Sequence, residues 1–221
     1  MRAEELINQT IPPLKTSDTV EKALSWMDEF RVSQLPVVKS RKFLGLITEQ
    51  DILDFDTFDA IVSDINYNFH DTSVLANKHF YDVMKVAVRD NVQVVAVLDE
   101  ADEFQGVITV NDAIAALSQM FAMQGPGGIV VLSMPERDYS LTHISRLIEA
   151  EDAKIISAYV TPHEGDPRSI KLTLKINRND LMRIISALER HNYNVVAEFD
   201  EVATNPGNQD RLDLLFRYLN V

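Results

Sequence analysis

The sequence predicts an α+β protein in two parts, a duplicated β-α-β-β-α unit followed by a ferredoxin-like β-α-β-β-α-β unit. Three observations carry that prediction. The stretch Phe43-Leu-Gly-Leu-Ile-Thr-Glu-Gln-Asp-Ile-Leu53 returns as Phe104-Gln-Gly-Val-Ile-Thr-Val-Asn-Asp-Ala-Ile114, so Gly45 pairs with Gly106, Thr48 with Thr109 and Asp51 with Asp112. The run Gly125-Pro-Gly-Gly128 then breaks helix and strand patterns alike. Beyond it the chain changes order and repeats nothing that came before. Duplicated units pack together to bury what neither buries alone, which gives the repeat priority over other signals.

The elements follow in order. Residues 4–9 read as a short helical lead-in ended by Ile11-Pro-Pro13. Asp18, with Glu21 three residues on, is expected to cap a helix whose inner face is Val20, Ala23, Leu24, Met27 and Phe30. Gln34–Val38 and Phe43–Ile47 form a hairpin across Lys39-Ser-Arg-Lys42, and a second helix starts at Thr48. After a connection over 55–73 the order returns: a strand near Val74, a helix on Phe80, Val83, Met84, Ala87 and Val88, a hairpin over 93–108 and a helix from Thr109. Aligning Leu35–Val38 with Val95–Leu98 leaves one extra residue in the second copy, and it falls in the polar turn Asp99-Glu-Ala-Asp-Glu103.

Past the glycines, Ile129–Leu132 is a strand, and Ser140 opens a helix striped by Leu141, Ile144, Leu147 and Ile148. Strands over 154–160 and 169–176 flank the turn Thr161–Pro167. Asn179 is expected to cap a helix carrying Leu181, Ile184, Ile185 and Leu188, and Val195–Phe199 closes the unit. That order is ferredoxin-like. Asn205-Pro-Gly207 ends it, and Arg211–Leu219 reads as a short amphipathic helical tail. The expected divisions are 1–60, the first repeat with its lead-in; 61–122, the second repeat; 123–128, a linker; 129–203; and a tail over 204–221.

Composition narrows the function. With 46% hydrophobic residues among 221 the chain can bury a core, and 21 Lys and Arg against 34 Asp and Glu leave a net charge of −13 with no basic run to track phosphates. Nucleic acid is excluded as a partner on that ground. No apolar run is long enough to span a bilayer, and the acidic start is unlike a targeting leader, so a cytoplasmic protein without membrane association is expected. Without cysteine there is no thiol catalysis and no thiolate metal site. His70, His79, His143, His163 and His191 are scattered, so no metal site is expected. No activated serine, nucleophile with its base or glycosidase carboxylate pair is recognisable, and the chain reads as non-catalytic. Asp51, Asp54, Asp56 and Asp59 read as a solvated acidic face, and Trp26 beside Phe30 as packing.

Thr48 with Asp51, and Thr109 with Asp112, are the residues on which chemistry could rest. At a strand-to-helix turn such a pair caps the helix. The same helix end can offer N–H groups and a hydroxyl to a phosphate, while the carboxylate accepts both hydroxyls of a ribose. Gly125–Gly128 lacks the Lys and Ser/Thr of a phosphate loop and reads as a linker.

The repeated Gly-x-x-Thr-x-x-Asp after a short apolar hairpin, twice in register over about residues 1–120, resembles a pair of CBS domains, the tandem (Bateman) module. The resemblance implies a homodimer of paired repeats with clefts for an adenosine-containing ligand, AMP, ADP, ATP or S-adenosylmethionine, bound by Thr48, Asp51, Thr109 and Asp112. It requires no cofactor. The −13 charge disfavours a polyphosphate and favours AMP or an S-adenosyl compound. Residues 129–203 are similar in order and length to ACT domains, which bind amino acids where the first strand meets the first helix. Here that junction holds Asp138, at the acidic position of the family turn, and Ser140, where the family has glycine. CBS pair followed by ACT-like unit is the order of the acetoin-utilisation protein B type. Two alternatives stay open: a ligand-free structural adaptor docking on a partner enzyme or transporter, and amino-acid sensing by the second unit.

Overall fold

The computed structural model describes residues 1–55, 60–66, 71–123 and 125–199. Asp56, Asp59, His70 and the tail over 211–219 lie outside the described residues. The chain divides into two compact units, Met1–Leu117 and Ser118–Val221.

The first unit contains the two repeats. In the first, β1 (Leu14–Lys15), α1 (Val20–Phe30), β2 (Gln34–Lys39), β3 (Lys42–Thr48) and α2 (Glu49–Phe55) follow one another. In the second, β4 (Ser73–Leu75), α3 (Phe80–Asp90), β5 (Val94–Leu98), β6 (Phe104–Thr109) and α4 (Val110–Met120) do the same. Each repeat forms a three-stranded sheet in sequence order, with the first pair of strands parallel and the second pair antiparallel. Register confirms the alignment. Val37 lies opposite Gly45 and Val97 opposite Gly106, each beside a β-bulge. The first hairpin turns on Ser40 and Arg41 at φ of 50° and 68°, as a two-residue primed turn requires. The second takes the longer route Asp99–Glu103, where Asp99 Oδ1 accepts the N–H of Ala101 at 2.9 Å and of Glu103 at 2.8 Å.

The helix faces are close to those the periodicity gives, with two corrections. Val88 is 76% exposed rather than inward, because the buried stripe of α3 runs through Phe80, Val83 and Ala87. Thr19, not Asp18, caps α1: its Oγ1 accepts the Lys22 N–H at 3.2 Å. A bridge between Thr19 and Ile61 holds the chain extended there, so the helix starts one residue later than the Asp18 pattern suggests. Asp18 instead accepts the Lys15 N–H and the Lys22 ammonium, both at 2.8 Å. Trp26 packs edge-on to Phe30, and the Lys22 ammonium sits over the indole at 4.2 Å.

Neither repeat is closed by its own lead-in. Met1–Asn8 lies on the second repeat, where Lys78 O accepts the Ala3 N–H, Ala76 O that of Glu4, and Val107 O that of Asn8. Residues 60–65 lie on the first repeat, through Val20 N–H to Ala60 O and Val62 N–H to Asp18 O. The cores mix accordingly. Val94 and Val107 of the second repeat belong to the cluster around Leu14, Val20 and Leu35, while Ala3 and Leu46 belong to the cluster around Val83, Val95 and Ile108. Burial across both repeats ties them into one cooperative body.

The second unit comprises β7 (Gly128–Pro135), α5 (Leu141–Glu149), β8 (Ile155–His163), β9 (Asp166–Ile176), α6 (Met182–Arg190) and β10 (Asn194–Phe199). Its four-stranded sheet has the order β10-β7-β9-β8 with every neighbouring pair antiparallel, the ferredoxin-like arrangement. Alternate residues of β7, Val130, Leu132 and Met134, meet Ile144, Ile148, Ile184 and Leu188 of the two helices. Ser140 caps α5 as expected, accepting the His143 N–H at 3.3 Å. Asn179 does not cap α6. Leu181 occupies the cap, and Asp180 Oδ1 accepts the Met182 N–H at 3.1 Å. Strand pairing runs out to His163 opposite Asp166, so the turn is shorter than the prolines at 162 and 167 suggest.

The glycine-rich stretch belongs to this unit. Gly128 is the first residue of β7, and a side chain at Gly127 would collide with the carbonyl of Ile176. Phe121 packs edge-on to Tyr159 at 5.3 Å, and Ser157 Oγ donates to the Phe121 carbonyl at 3.0 Å.

Candidate functional site

Each Thr–Asp pair sits where a hairpin's second strand passes into a helix. Thr48 ends β3 and Asp51 lies in the first turn of α2; Thr109 ends β6 and Asp112 lies in the first turn of α4. The strand delivers the threonine at its last paired residue, opposite Gln34 or Val94, which fixes the junction to the sheet. The helix N-terminus favours a carboxylate in that turn.

The two junctions share one geometry. Asp51 Oδ2 accepts the Thr48 N–H at 2.9 Å and the Thr48 hydroxyl at 2.7 Å, while Thr48 Oγ1 accepts the Asp51 N–H at 3.0 Å. Asp112 Oδ2 accepts the Thr109 N–H at 2.9 Å and the hydroxyl at 2.6 Å, and Thr109 Oγ1 accepts the Asp112 N–H at 3.0 Å. This reciprocal exchange satisfies two orphan donors of the helix start. It also spends one carboxylate oxygen and leaves the other turned to whatever lies beside it. Thr109 is nearly buried, Thr48 half-buried, and both carboxylates are half-buried.

The surroundings differ. Around the first pair stand Glu49 and Asp54, the latter accepting from Gln50 Nε2 at 2.7 Å, which makes an acidic face. Around the second stand Val110 and Asn111. Asn8 of the lead-in donates its Nδ2 to Asp112, at 3.4 Å from Oδ1 and 3.2 Å from Oδ2. Sequence reasoning missed Asn8, because nothing within its own repeat needs it.

In the second unit, Asp138 and Ser140 are both exposed, on the segment between β7 and α5. The Arg137 guanidinium lies 3.6 Å from Asp138. A cleft of about 490 Å³ adjoins this segment, lined by Pro135, Glu136, Arg137, Asp166, Pro167, Arg168 and Ser169, so its charged walls come from Glu136, Arg137, Asp166 and Arg168, and neither Asp138 nor Ser140 lines it. The Ser169 hydroxyl at 2.6 Å and the Arg168 N–H at 3.1 Å hold the Asp166 carboxyl below the usual carboxylate range.

Among the described residues no group of His, Asp and Glu could hold a metal ion, and no helix is long and apolar enough to cross a membrane.

Residues 3–57 match the family model of the CBS domain. Among curated proteins, the inosine-5'-monophosphate dehydrogenase of Korarchaeum cryptofilum is 28% identical over 127 residues, 58% of this chain, and that of Methanocaldococcus jannaschii 22% identical over 154 residues, 68% of this chain. The matches span 26% and 30% of those enzymes' own lengths. Among solved structures, a CBS domain pair/ACT domain protein of Thermotoga maritima aligns with a TM-score of 0.50 at 22% identity, over 54% of this chain and 98% of that one. The first unit thus has the fold of a tandem CBS pair, and a further β/α domain follows it.

Proposed function

We propose that the CBS pair binds an adenosine-containing ligand, AMP, ADP, ATP or S-adenosylmethionine, and that the protein is a non-catalytic regulatory sensor. The observation that carries this is the duplicate Thr–Asp junction, identical within 0.1 Å at Thr48–Asp51 and Thr109–Asp112. Asp51 and Asp112 take the ribose hydroxyls, and Thr48 and Thr109 with their helix starts face the phosphate or its substitute. The acidic setting of Glu49 and Asp54 supports AMP or an S-adenosyl compound over a polyphosphate.

A sensor needs two arrangements with different affinity for the ligand. We assign the readout to residues 129–203 as an ACT-like domain, to a homodimer of the chain, and to a partner protein whose activity the ligand controls. The test is thermal unfolding with AMP, ADP, ATP, S-adenosylmethionine, NAD and amino acids, followed by calorimetry on any hit. A ligand at a hundred times its dissociation constant adds about 2.7 kcal/mol, which a melting curve resolves. No shift with any of them transfers the function to a structural adaptor.

The cleft at Arg137 and Arg168 supports a second reading, in which the second unit senses an amino acid. Two guanidinium groups suit a carboxylate, and Glu136 and Asp166 suit an ammonium. A melting shift with amino acids alone, lost in Arg168→Ala, would establish it.

A further inference from the structure

We infer that the lead-in side chain Asn8 gates the Asp112 site, because it already holds that carboxylate and must leave before a ribose can bind there; this rests on the nucleotide reading above. The orientation of Asn8 is fixed twice over. Its Oδ1 accepts the Thr10 N–H at 2.9 Å and the Thr10 hydroxyl at 2.6 Å, so the other end of the amide is the NH₂ group, and that group points at Asp112. Its backbone N–H donates to Val107 O at 2.8 Å, which anchors the residue to the strand beside the site.

An ionised carboxylate offers about four lone-pair positions. At Asp112, Thr109 takes two of them and Asn8 spans both oxygens from the outer side. A vicinal diol approaching from solvent needs the positions that Asn8 holds. Filling the Asp112 site expels Asn8 from the carboxylate and loosens the lead-in, so binding there carries a conformational consequence.

Titration calorimetry of the full chain with AMP tests this. In an Asp51→Ala background, which leaves the Asp112 site, Asn8→Ala should tighten binding by about three- to tenfold, the size of one competing hydrogen bond; in an Asp112→Ala background it should leave binding at the Asp51 site unchanged. Asn8→Ser can still accept the Thr10 N–H but is too short to reach Asp112, and it should act in the same direction, which guards against a folding defect in the alanine variant. An Asp112 site unchanged or weakened in both Asn8 variants would overturn the inference while leaving the nucleotide reading in place. Absence of heat with AMP, ADP, ATP and S-adenosylmethionine alike would remove both.

Discussion

Asp112 and Thr109 hold each other by three hydrogen bonds of 2.6 to 3.0 Å, and Asp51 and Thr48 repeat the same exchange at the other strand-to-helix junction. The pair is first a helix cap, so any ligand role is added to a structural one. Substitutions here must be read on both scales.

Replacing either aspartate by alanine should cost about 1 kcal/mol of stability, the value of a cap, and lower the melting temperature by roughly 2–4 °C. If the proposed adenosine-ligand reading holds, each variant should lose affinity at its own junction by at least about tenfold, since hydrogen bonds to a carboxylate are strong. Unchanged affinity in both Asp51→Ala and Asp112→Ala, measured calorimetrically, would remove the ribose assignment.

Thr109 separates shape from hydroxyl chemistry, because its side chain is nearly buried. Thr109→Val keeps the volume but leaves the Asp112 N–H and one carboxylate oxygen without that partner, and about 1–2 kcal/mol should be lost in urea unfolding. Thr109→Ser should stay within about 0.5 kcal/mol of wild type. A valine variant as stable as the serine one would show that the hydroxyl contributes nothing.

Gly106 is required by the lead-in. A methyl group there would run into the Ile7 side chain, and isoleucine is branched at Cβ and cannot swing aside without leaving its rotamer. Gly106→Ala should destabilise the first unit by about 1–3 kcal/mol and expose residues 1–8 to hydrogen exchange. Gly125→Ala, whose new methyl would meet only Ala122 O at 3.6 Å, serves as the control and should be close to neutral.

Acid should unfold the protein partly through Asp18 and Asp90. Burial opposes ionisation of Asp18, but the Lys22 ammonium and the Lys15 N–H outweigh it and hold its carboxyl below the ordinary value of 3.8. Asp90 is held down by the Arg89 guanidinium at 2.6 Å, against a smaller effect of burial. A carboxyl depressed on folding stabilises fully above its unfolded pKa, and that contribution is lost as pH falls through the folded value. The stability gap between wild type and Asp18→Asn should therefore hold from neutrality down to about pH 4 and close below it. A gap that widens on acidification would contradict this sign.

The duplication was legible because Gly45 and Gly106, Thr48 and Thr109, and Asp51 and Asp112 recur at fixed spacing, and because helix periodicity does not depend on the partner it packs against. The single inserted residue between Asp99 and Glu103 was legible for the same reason, and the register opposite Val37 and Val97 bears it out. The helix caps were less so. Asp18 and Asn179 have the side chains of good caps, but which residue becomes the cap depends on where the chain is held extended, and for Thr19 that is set by a bridge to Ile61.

By itself the sequence determined the repeated unit, the order of strands and helices in both parts, and the Thr–Asp junctions, since all of these are local patterns of burial and hydrogen bonding. Only the tertiary structure decided that each repeat is completed by the other's lead-in, that Asn8 reaches Asp112, and that Arg137 and Arg168 share a cleft. Those contacts join residues far apart in the chain. They exist because apolar burial across the pair brings the segments together, which no local pattern encodes.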